Sequence, residues 1–190
     1  MSNPIIMLAG LPGTGKSTVG IKLEEKLNDY DLHSFLAVRR DLGHKRYRPR
    51  QNARVFRELY RRTEESLMSR RGVILDNTYT TQAARQRVYN IGANYGVEVL
   101  ILECYCSEQE AKKRMRSRPV NDGLVVEPRN PHVYDKLSAK WQDIDVDLGI
   151  PTKQHVSYLK YNTETNDFQE IRVNPHVRLL AEKVKDAIKS

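Results

Sequence analysis

Cysteine is nearly absent from this sequence, because its 190 residues include only Cys104 and Cys106. The two thiols lie one residue apart on a predicted strand, so they point to the same face and are poorly placed to bridge each other. We interpret them as reduced, structural cysteines, which favours a cytoplasmic protein. A cysteine-based metal site is not expected, since the sequence offers no partner ligands at a suitable spacing.

Long hydrophobic runs are also missing. No window approaches the roughly 18 consecutive apolar residues that a membrane helix needs, so we expect no membrane partner. A strand-like segment follows Met1–Pro4 directly and leaves no room for a signal peptide. The hydrophobic fraction of 39% and the length fit one soluble domain with a proper core.

Several patterns that would indicate other functions do not occur. The chain has no internal repeats and no low-complexity stretch, and its five histidines show no metal-ligand spacing. No N-K-x-D motif is present, which disfavours a GTPase-type switch. The small size disfavours a motor or oligomeric ATPase.

The positive charge is concentrated in one stretch. Residues 39–71 hold twelve Lys and Arg against four acids, which accounts for the whole net charge of +8. Such a local field indicates an anionic partner, either a nucleic acid or a phosphorylated small molecule such as a sugar phosphate or nucleotide. The alternative is a solvated basic helix face.

Strand-like and helix-like segments alternate along the chain. This order predicts an α/β fold, a three-layer α/β/α sandwich with helices on both faces of a mainly parallel, five-stranded sheet. The predicted strands cover residues 4–9, 32–38, 73–76, 97–104 and 156–161. The predicted helices cover residues 16–27, 51–68, 80–95, 108–118, 131–141 and 177–188. We expect one domain over 1–190, and ligands bound beyond the carboxyl ends of the strands.

Residues 10–17, G-L-P-G-T-G-K-S, match the P-loop pattern between a predicted strand and a predicted helix. Glycines let the backbone N–H groups wrap phosphates, and the helix N-terminus favours negative charge. Lys16 is expected to reach the β- and γ-phosphates, and the Ser17 hydroxyl to bind Mg²⁺. The predicted ATP-binding residues are Gly10, Gly13, Thr14, Gly15, Lys16, Ser17 and Thr18.

Asp76 ends the apolar segment V-I-L-D, where the acid of a Walker B strand lies close to the magnesium ion. It is predicted to hold the metal through water or to accept the proton of the attacking hydroxyl. The alternative is a turn-forming Asp-Asn pair.

Two further charged segments fall beside the predicted site. Arg39, Arg40 and Asp41 follow the second strand, where the arginines can hold a substrate phosphate and the acid can act as general base. Arg114 and Arg118 lie four residues apart before a Pro-rich loop, in a predicted lid at about residues 112–131. An ordinary charged loop and a solvated helix end are the respective alternatives.

The chain resembles the P-loop kinases grouped around polynucleotide kinase and zeta toxin, over roughly residues 4–145. Residues 10–17, I-L-D-N-T-Y-T-T-Q-A-A-R at 74–85 and K-R-M-R-S-R at 113–118 carry the resemblance. It implies that Arg114 and Arg118 are lid arginines. Through the second segment it also implies that Thr78 and Arg85 contact substrate.

Residues 38–52, V-R-R-D-L-G-H-K-R-Y-R-P-R-Q-N, are similar instead to the kinase half of 6-phosphofructo-2-kinase. That resemblance implies that Arg39 and Arg40 contact a sugar phosphate. The two resemblances disagree about the acceptor base, and both Asp41 and Asp76 remain candidates.

The leading expectation is an ATP- and Mg²⁺-dependent kinase that phosphorylates a hydroxyl, with a polynucleotide 5′-hydroxyl as the first choice of acceptor. A sugar-phosphate or other small-metabolite kinase is the alternative, and a nucleotide-dependent binding module with little turnover is the second. The sequence leaves the preference for ATP over GTP and the oligomeric state open.

Overall fold

A computed structural model describes residues 3–44, 49–118, 130–149 and 155–190 of the chain. Its sheet has six strands in the order β2-β3-β1-β4-β5-β6, one more than the sequence predicted. All neighbouring strands are parallel except β5 and β6. The strands are β1 (Ile5–Ala9), β2 (Tyr30–Ser34), β3 (Gly72–Asp76), β4 (Val99–Tyr105), β5 (Val156–Asn162) and β6 (Asp167–Arg172).

Helices pack on both faces of this sheet, which confirms the predicted three-layer α/β/α fold. The described helices are α1 (Lys16–Lys26), α2 (Phe35–Asp41), α3 (Asn52–Met68), α4 (Gln82–Tyr95), α5 (Glu108–Arg116), α6 (Pro131–Ser138), α7 (Asp145–Leu148) and α8 (Arg178–Lys189). One core joins the sheet to α2, α3 and α4, and a second joins its other face to α1 and α8. Every residue of β1 and β3 is therefore buried, as expected for central parallel strands.

Local sequence signals mark the ends of two helices. The Thr81 side chain caps α4 by accepting the N–H of Ala84, and the helix stops at Gly96, whose φ is 62°. The Ser107 side chain caps α5 in the same way by accepting the N–H of Glu110. Each of these caps depends only on neighbouring residues.

The second strand was predicted at the wrong place. Strand β2 ends at Ser34, and the following apolar run forms α2 instead of continuing the strand to residue 38. Phe35, Val38 and Arg39 are the buried residues of α2, a spacing of three and four that fits one helix face. Short apolar runs do not distinguish strand from helix by themselves.

The sixth strand, β6, was missed altogether. It pairs antiparallel with β5 at the edge of the sheet, and the register shifts so that Ile171 has no partner on β5. Phe168 and Ile171, its two apolar residues, are therefore three positions apart and hide the period of two that identifies a strand.

No helix in the described ranges is long and apolar enough to cross a membrane. The predicted lid at about 112–131 includes residues 119–129, which lie outside the described part of the chain.

Candidate functional site

The P-loop leaves the carboxyl end of β1 and enters α1 at Lys16. Gly10, Gly13 and Gly15 have positive φ angles of 142°, 81° and 87°. At Gly13 a side chain is also excluded by packing, because a Cβ would lie 2.3 Å from the carbonyl oxygen of Ala111 in α5. The loop shape therefore depends on glycine, and α5 is packed directly against it.

Backbone and side-chain hydrogen bonds hold this loop in place. The N–H of Gly10 donates to the carbonyl of Thr78 at 3.1 Å, which ties the loop to the segment after β3. The buried Thr14 hydroxyl donates to the carbonyl of Leu11 at 2.8 Å. Thr18, the last of the predicted nucleotide-binding residues, is exposed on the first turn of α1.

Lys16 lies folded over the loop. Its side chain is buried, and Nζ donates to the carbonyl oxygen of Leu11 at 2.7 Å. Burial lowers the pKa of Lys16, the positive charge of Arg118 acts in the same direction, and the negative charge of Asp76 opposes both. A phosphate beside Nζ would supply an anionic partner for a partly desolvated ammonium group.

Ser17 and Asp76 meet at the end of β3. The Ser17 hydroxyl donates to Oδ2 of Asp76 at 2.7 Å, and only 6% of Asp76 is exposed. Hydroxyl and carboxylate oxygens are the hard ligands that Mg²⁺ prefers, and Mg²⁺ usually completes its shell with water and substrate phosphates. The donor pair fits the predicted metal ligands, although the part of the chain that is described contains no cluster of three or more His, Cys, Asp or Glu that could hold a metal.

Arg39 and Arg40 point to different environments. Arg39 is fully buried, donates to the side chains of Gln51 and Asn52, and lies over the ring of Phe35 at 5.5 Å. Arg40 is exposed. The structure therefore does not bring the two guanidinium groups together as a substrate clamp, because consecutive helical residues lie on different faces.

Asp41 ends α2 and is well separated in sequence from the end of β2. Its Oδ2 accepts a hydrogen bond from Nη1 of Arg62 at 2.7 Å, and about half of its side chain is exposed. The sequence argument placed Asp41 directly after a strand, and that placement was wrong. Its role as a general base stays a prediction, now without the strand-end position that motivated it.

Of the two predicted lid arginines, Arg114 contacts a residue that lies against the P-loop. Nε of Arg114 donates to Glu110 at 2.8 Å, and Nη1 donates to the hydroxyl of Thr163 at 2.8 Å. Thr163 in turn lies against the P-loop, since a Cβ on Gly15 would be 3.3 Å from its Cγ2. Arg118 follows α5 and is close enough for its charge to act on Lys16.

Arg85 is buried in a polar network within the helical layer. Nε and Nη2 donate to the two carboxylate oxygens of Asp147 at 2.6 and 3.2 Å, and Nη1 donates to the carbonyl of Tyr79 at 3.0 Å. Tyr89 also donates to Asp147, at 2.6 Å. In this structure the predicted substrate arginine is engaged by a structural carboxylate, so substrate contact would require breaking that ion pair.

Sequence reasoning missed two residues of this region. Thr163, in the turn after β5, bridges Arg114 and Gly15, and no local motif marks it. Tyr79 follows Thr78 with a φ of 47°, is 1% exposed, and its hydroxyl has no hydrogen-bond partner in the described part of the chain. A non-glycine residue in the left-handed region three positions after Asp76 is a signal that only a structure provides.

Comparison with known proteins supports this assignment of the fold. A family model described as an AAA domain matches residues 5–131, a span that runs from β1 through the P-loop, Asp76 and α5 to the first residue of α6. No curated protein matches the chain in sequence.

Solved structures with this fold have different names. A protein from Chloroflexus aurantiacus j-10-fl with a provisional kinase name has a TM-score of 0.68 at 18% identity, covering 96% of this chain and 99% of its own. A sugar kinase from Janibacter sp. HTCC2649 has a TM-score of 0.61 at 11% identity, covering 98% and 93%.

A chain of the Pnkp1/Rnl/Hen1 RNA repair complex has a TM-score of 0.59 at 18% identity. The match covers 74% of the present chain but only 47% of the repair-complex chain. At these identities the likeness shows the fold alone. Because the AAA-domain model covers more than half of the sequence, the chain belongs to that family of P-loop proteins and has the fold of P-loop kinases.

Proposed function

We propose that this protein is an ATP- and Mg²⁺-dependent kinase that transfers the γ-phosphate to a polynucleotide 5′-hydroxyl. The observation that carries the reaction type is the contact between Ser17 and Asp76 beside the buried Lys16. This arrangement supports the proposal because P-loop enzymes use a loop lysine, a loop hydroxyl and a strand-end acid to bind phosphate and metal.

Each group has a defined task in this proposal. The loop N–H groups and Lys16 bind and orient the β- and γ-phosphates, so that most of the rate enhancement comes from positioning and charge stabilisation. Ser17 and Asp76 would hold Mg²⁺, which would supply positive charge to offset the negative charge that develops during phosphoryl transfer. Arg114 on α5 and Arg118 just after this helix add positive charge beside the transferred group.

Asp76 is the better candidate for general base. It lies at the strand end within the site, whereas Asp41 is on the surface in an ion pair with Arg62. A base must be within hydrogen-bond reach of the proton that it removes. The proposal therefore assigns proton acceptance to Asp76, in addition to its contact with the metal.

The choice of acceptor rests on charge and on the accessibility of the arginines. Arg39 is buried and separated from Arg40, which removes the double-arginine clamp that favoured a sugar phosphate. Exposed arginines of α3 remain as the positive surface. The fold alone does not identify the acceptor, since a sugar kinase and an RNA repair complex both contain this fold.

The test is phosphate transfer from γ-labelled ATP with Mg²⁺ to 5′-hydroxyl DNA and RNA oligonucleotides, bulk tRNA and sugar phosphates, with Lys16→Ala as the inactive control. We expect label on the oligonucleotides and none in the variant. Label on sugar phosphates alone would show that the acceptor is a sugar phosphate instead of a polynucleotide. ATP binding with no transfer to any member of the panel would favour a nucleotide-dependent binding module.

A further inference from the structure

An open groove of about 470 Å³ lies on the helical layer between α3 and α4. Phe56 and Tyr60 of α3 lie in it, together with Arg57 and Arg61 of the same helix and Arg87 of α4. Positions 53, 56, 57, 60, 61 and 64 line the groove, a helical spacing that makes one continuous face of α3. We call this feature the α3/α4 groove.

The α3/α4 groove contains stacked aromatic rings. The rings of Phe56 and Tyr60 are 5.8 Å apart and inclined by 19°, and both side chains are half-buried. The guanidinium of Arg87 lies 5.7 Å from the Tyr60 ring centre. Rings of this kind are platforms for nucleic-acid bases, and a guanidinium plane can also stack on a base.

Arginines form the border of the groove and extend beyond it. Arg50, Arg54, Arg57 and Arg61 follow one another at intervals of four, three and four residues, so they lie along one side of the helix and the turn before it. Arg61 is paired with Glu58 and Glu65.

Three arginines of this stripe and one of α4 are available to an anion. Arg50, Arg54, Arg57 and Arg87 are exposed and form no ion pair within the described residues. Glu64 is the one acid among the described residues that line the groove, so the surface keeps a clear positive excess.

The extent of the charge argues for a polyanion. From Arg50 to Arg57 the arginines without an ion pair run about 10 Å at the rise of a helix, and Arg87 adds a further charge from α4, so this surface suits several phosphates better than one. A single nucleic-acid strand presents both repeating phosphates and flat bases. An acidic peptide would match the arginines but would leave the aromatic rings without a stacking partner.

The α3/α4 groove shares a core cluster with the segment after β3. Tyr79 lies three residues after Asp76, and its buried side chain belongs to the cluster against which Phe56 and Tyr60 pack. Tyr79 therefore belongs to the same core as the aromatic floor of the groove.

We propose that the α3/α4 groove binds a single-stranded polynucleotide, with bases on Phe56 and Tyr60 and phosphates on Arg57 and Arg87. This inference deepens the proposed function, because it identifies the surface that holds the acceptor strand. Strand binding can be measured without ATP, so its outcome is separate from that of the transfer reaction.

The first experiment measures the salt dependence of strand binding by fluorescence anisotropy, using a labelled single-stranded oligonucleotide of about 12 nucleotides. The variant is Arg57→Gln with Arg87→Gln, and the control is Lys26→Gln with Lys183→Gln, which removes the same charge from exposed positions of α1 and α8 in the opposite layer. Each single-strand phosphate contact contributes about 0.7 to the slope of log K against log salt, so the test variant should lower the slope by about 1.4.

The second experiment separates stacking from charge. Tyr60→Phe keeps the ring and should bind the same oligonucleotide as the unchanged protein does, whereas Tyr60→Leu should bind about tenfold more weakly. Thermal unfolding of both variants checks that the fold is retained. If Tyr60→Leu does not fold, Arg87→Lys, which keeps the charge but loses the planar group, takes its place with a smaller expected loss.

Each outcome of the two experiments either supports or overturns strand binding in the α3/α4 groove. A lower slope in the groove variant together with an unchanged slope in the control supports the proposal, whether or not phosphate is transferred. Equal slopes in the two variants overturn it, as does equal affinity for the oligonucleotide and for poly-glutamate in competition. Strand binding through the groove with no transfer to any 5′-hydroxyl would retain the groove and reject the proposed acceptor reaction.

Discussion

Ser17 donates a hydrogen bond to Asp76, and this contact joins the first turn of α1 to the end of β3. If the pair holds Mg²⁺, Ser17→Ala and Asp76→Asn should each lower transfer by about 10²- to 10³-fold, the loss typical of one electrostatic group in a preorganised site. Ser17→Thr keeps the hydroxyl and should retain most activity. Transfer measured over a Mg²⁺ titration checks this, and both defective variants should need more Mg²⁺.

Asp41→Asn is the comparison for Asp76→Asn, because it removes an acid that is paired with Arg62 on the surface. Loss of a general base lowers the rate by about 10²- to 10⁴-fold. Because that role is assigned to Asp76, the turnover of Asp41→Asn should stay within about threefold of that of the unchanged protein. Arg62→Gln is the control that breaks this ion pair, together with the one between Arg62 and Glu58, while Asp41 is kept. A large defect in Asp41→Asn with normal Arg62→Gln would transfer the base role from Asp76 to Asp41.

Gly13 and Gly43 form a matched pair for testing the packing of the P-loop. Both have positive φ, 81° and 73°, but a Cβ on Gly13 would lie 2.3 Å from the Ala111 carbonyl oxygen, whereas one on Gly43 would have no atom of the described chain within 4 Å. Gly43→Ala should cost about 1–2 kcal/mol from backbone strain. Gly13→Ala should cost about 1–3 kcal/mol more from overpacking.

Urea unfolding of the two alanine variants gives the comparison directly, from the shift in midpoint at constant slope. Equal losses of stability would mean that α5 moves away from the P-loop at little cost. In that case the helix that carries Arg114 would not be held rigidly at the site.

Much of the fold was predictable because its signals are local. The P-loop, the cap of α4 at Thr81 and the cap of α5 at Ser107 each depend on a few adjacent residues, and the alternation of elements then implies a parallel sheet. The turn from β2 into α2 was not predictable, since Phe35 and Val38 fit either a strand or a helix face until the core is known.

Contacts between residues that are distant in sequence account for the remaining differences between the sequence-based expectation and the structure. Arg85 has a plausible substrate role until Asp147, 62 residues away, is brought against it. Thr163 acquires its position between Arg114 and Gly15 only when β5 is added to the sheet. Buried ion pairs and bridging hydroxyls of this kind depend on topology, which the sequence pattern gives only coarsely.

The Arg85–Asp147 ion pair gives a prediction about stability. Both side chains are fully buried, so Asp147→Ala would leave an unpaired buried guanidinium and should cost about 3–5 kcal/mol of unfolding free energy. The double variant Arg85→Met with Asp147→Leu should recover most of that loss. Urea unfolding of Arg85→Met, Asp147→Leu and the double variant gives the coupling energy.

A small effect of Asp147→Ala, below about 1 kcal/mol, would contradict the structural role. Arg85 would then be available to move, and the substrate contact implied by the family resemblance would regain support. Transfer assays on Arg85→Lys, which keeps the charge but loses the paired geometry, would be the next measurement.

Tyr79 and Tyr89 test whether a buried tyrosine hydroxyl contributes to stability or to phosphate transfer. The Tyr89 hydroxyl donates to Asp147 at 2.6 Å, so Tyr89→Phe should cost about 1–3 kcal/mol by leaving that carboxylate short of a partner. The Tyr79 hydroxyl is buried and has no partner within the described ranges, so Tyr79→Phe should be neutral to within about 0.5 kcal/mol or stabilising. Unfolding by urea measures both, and transfer from labelled ATP is measured on the same samples.

A loss above about 1 kcal/mol in Tyr79→Phe would show that its hydroxyl has a partner in the folded protein. Normal stability with reduced transfer would instead place that hydroxyl against substrate.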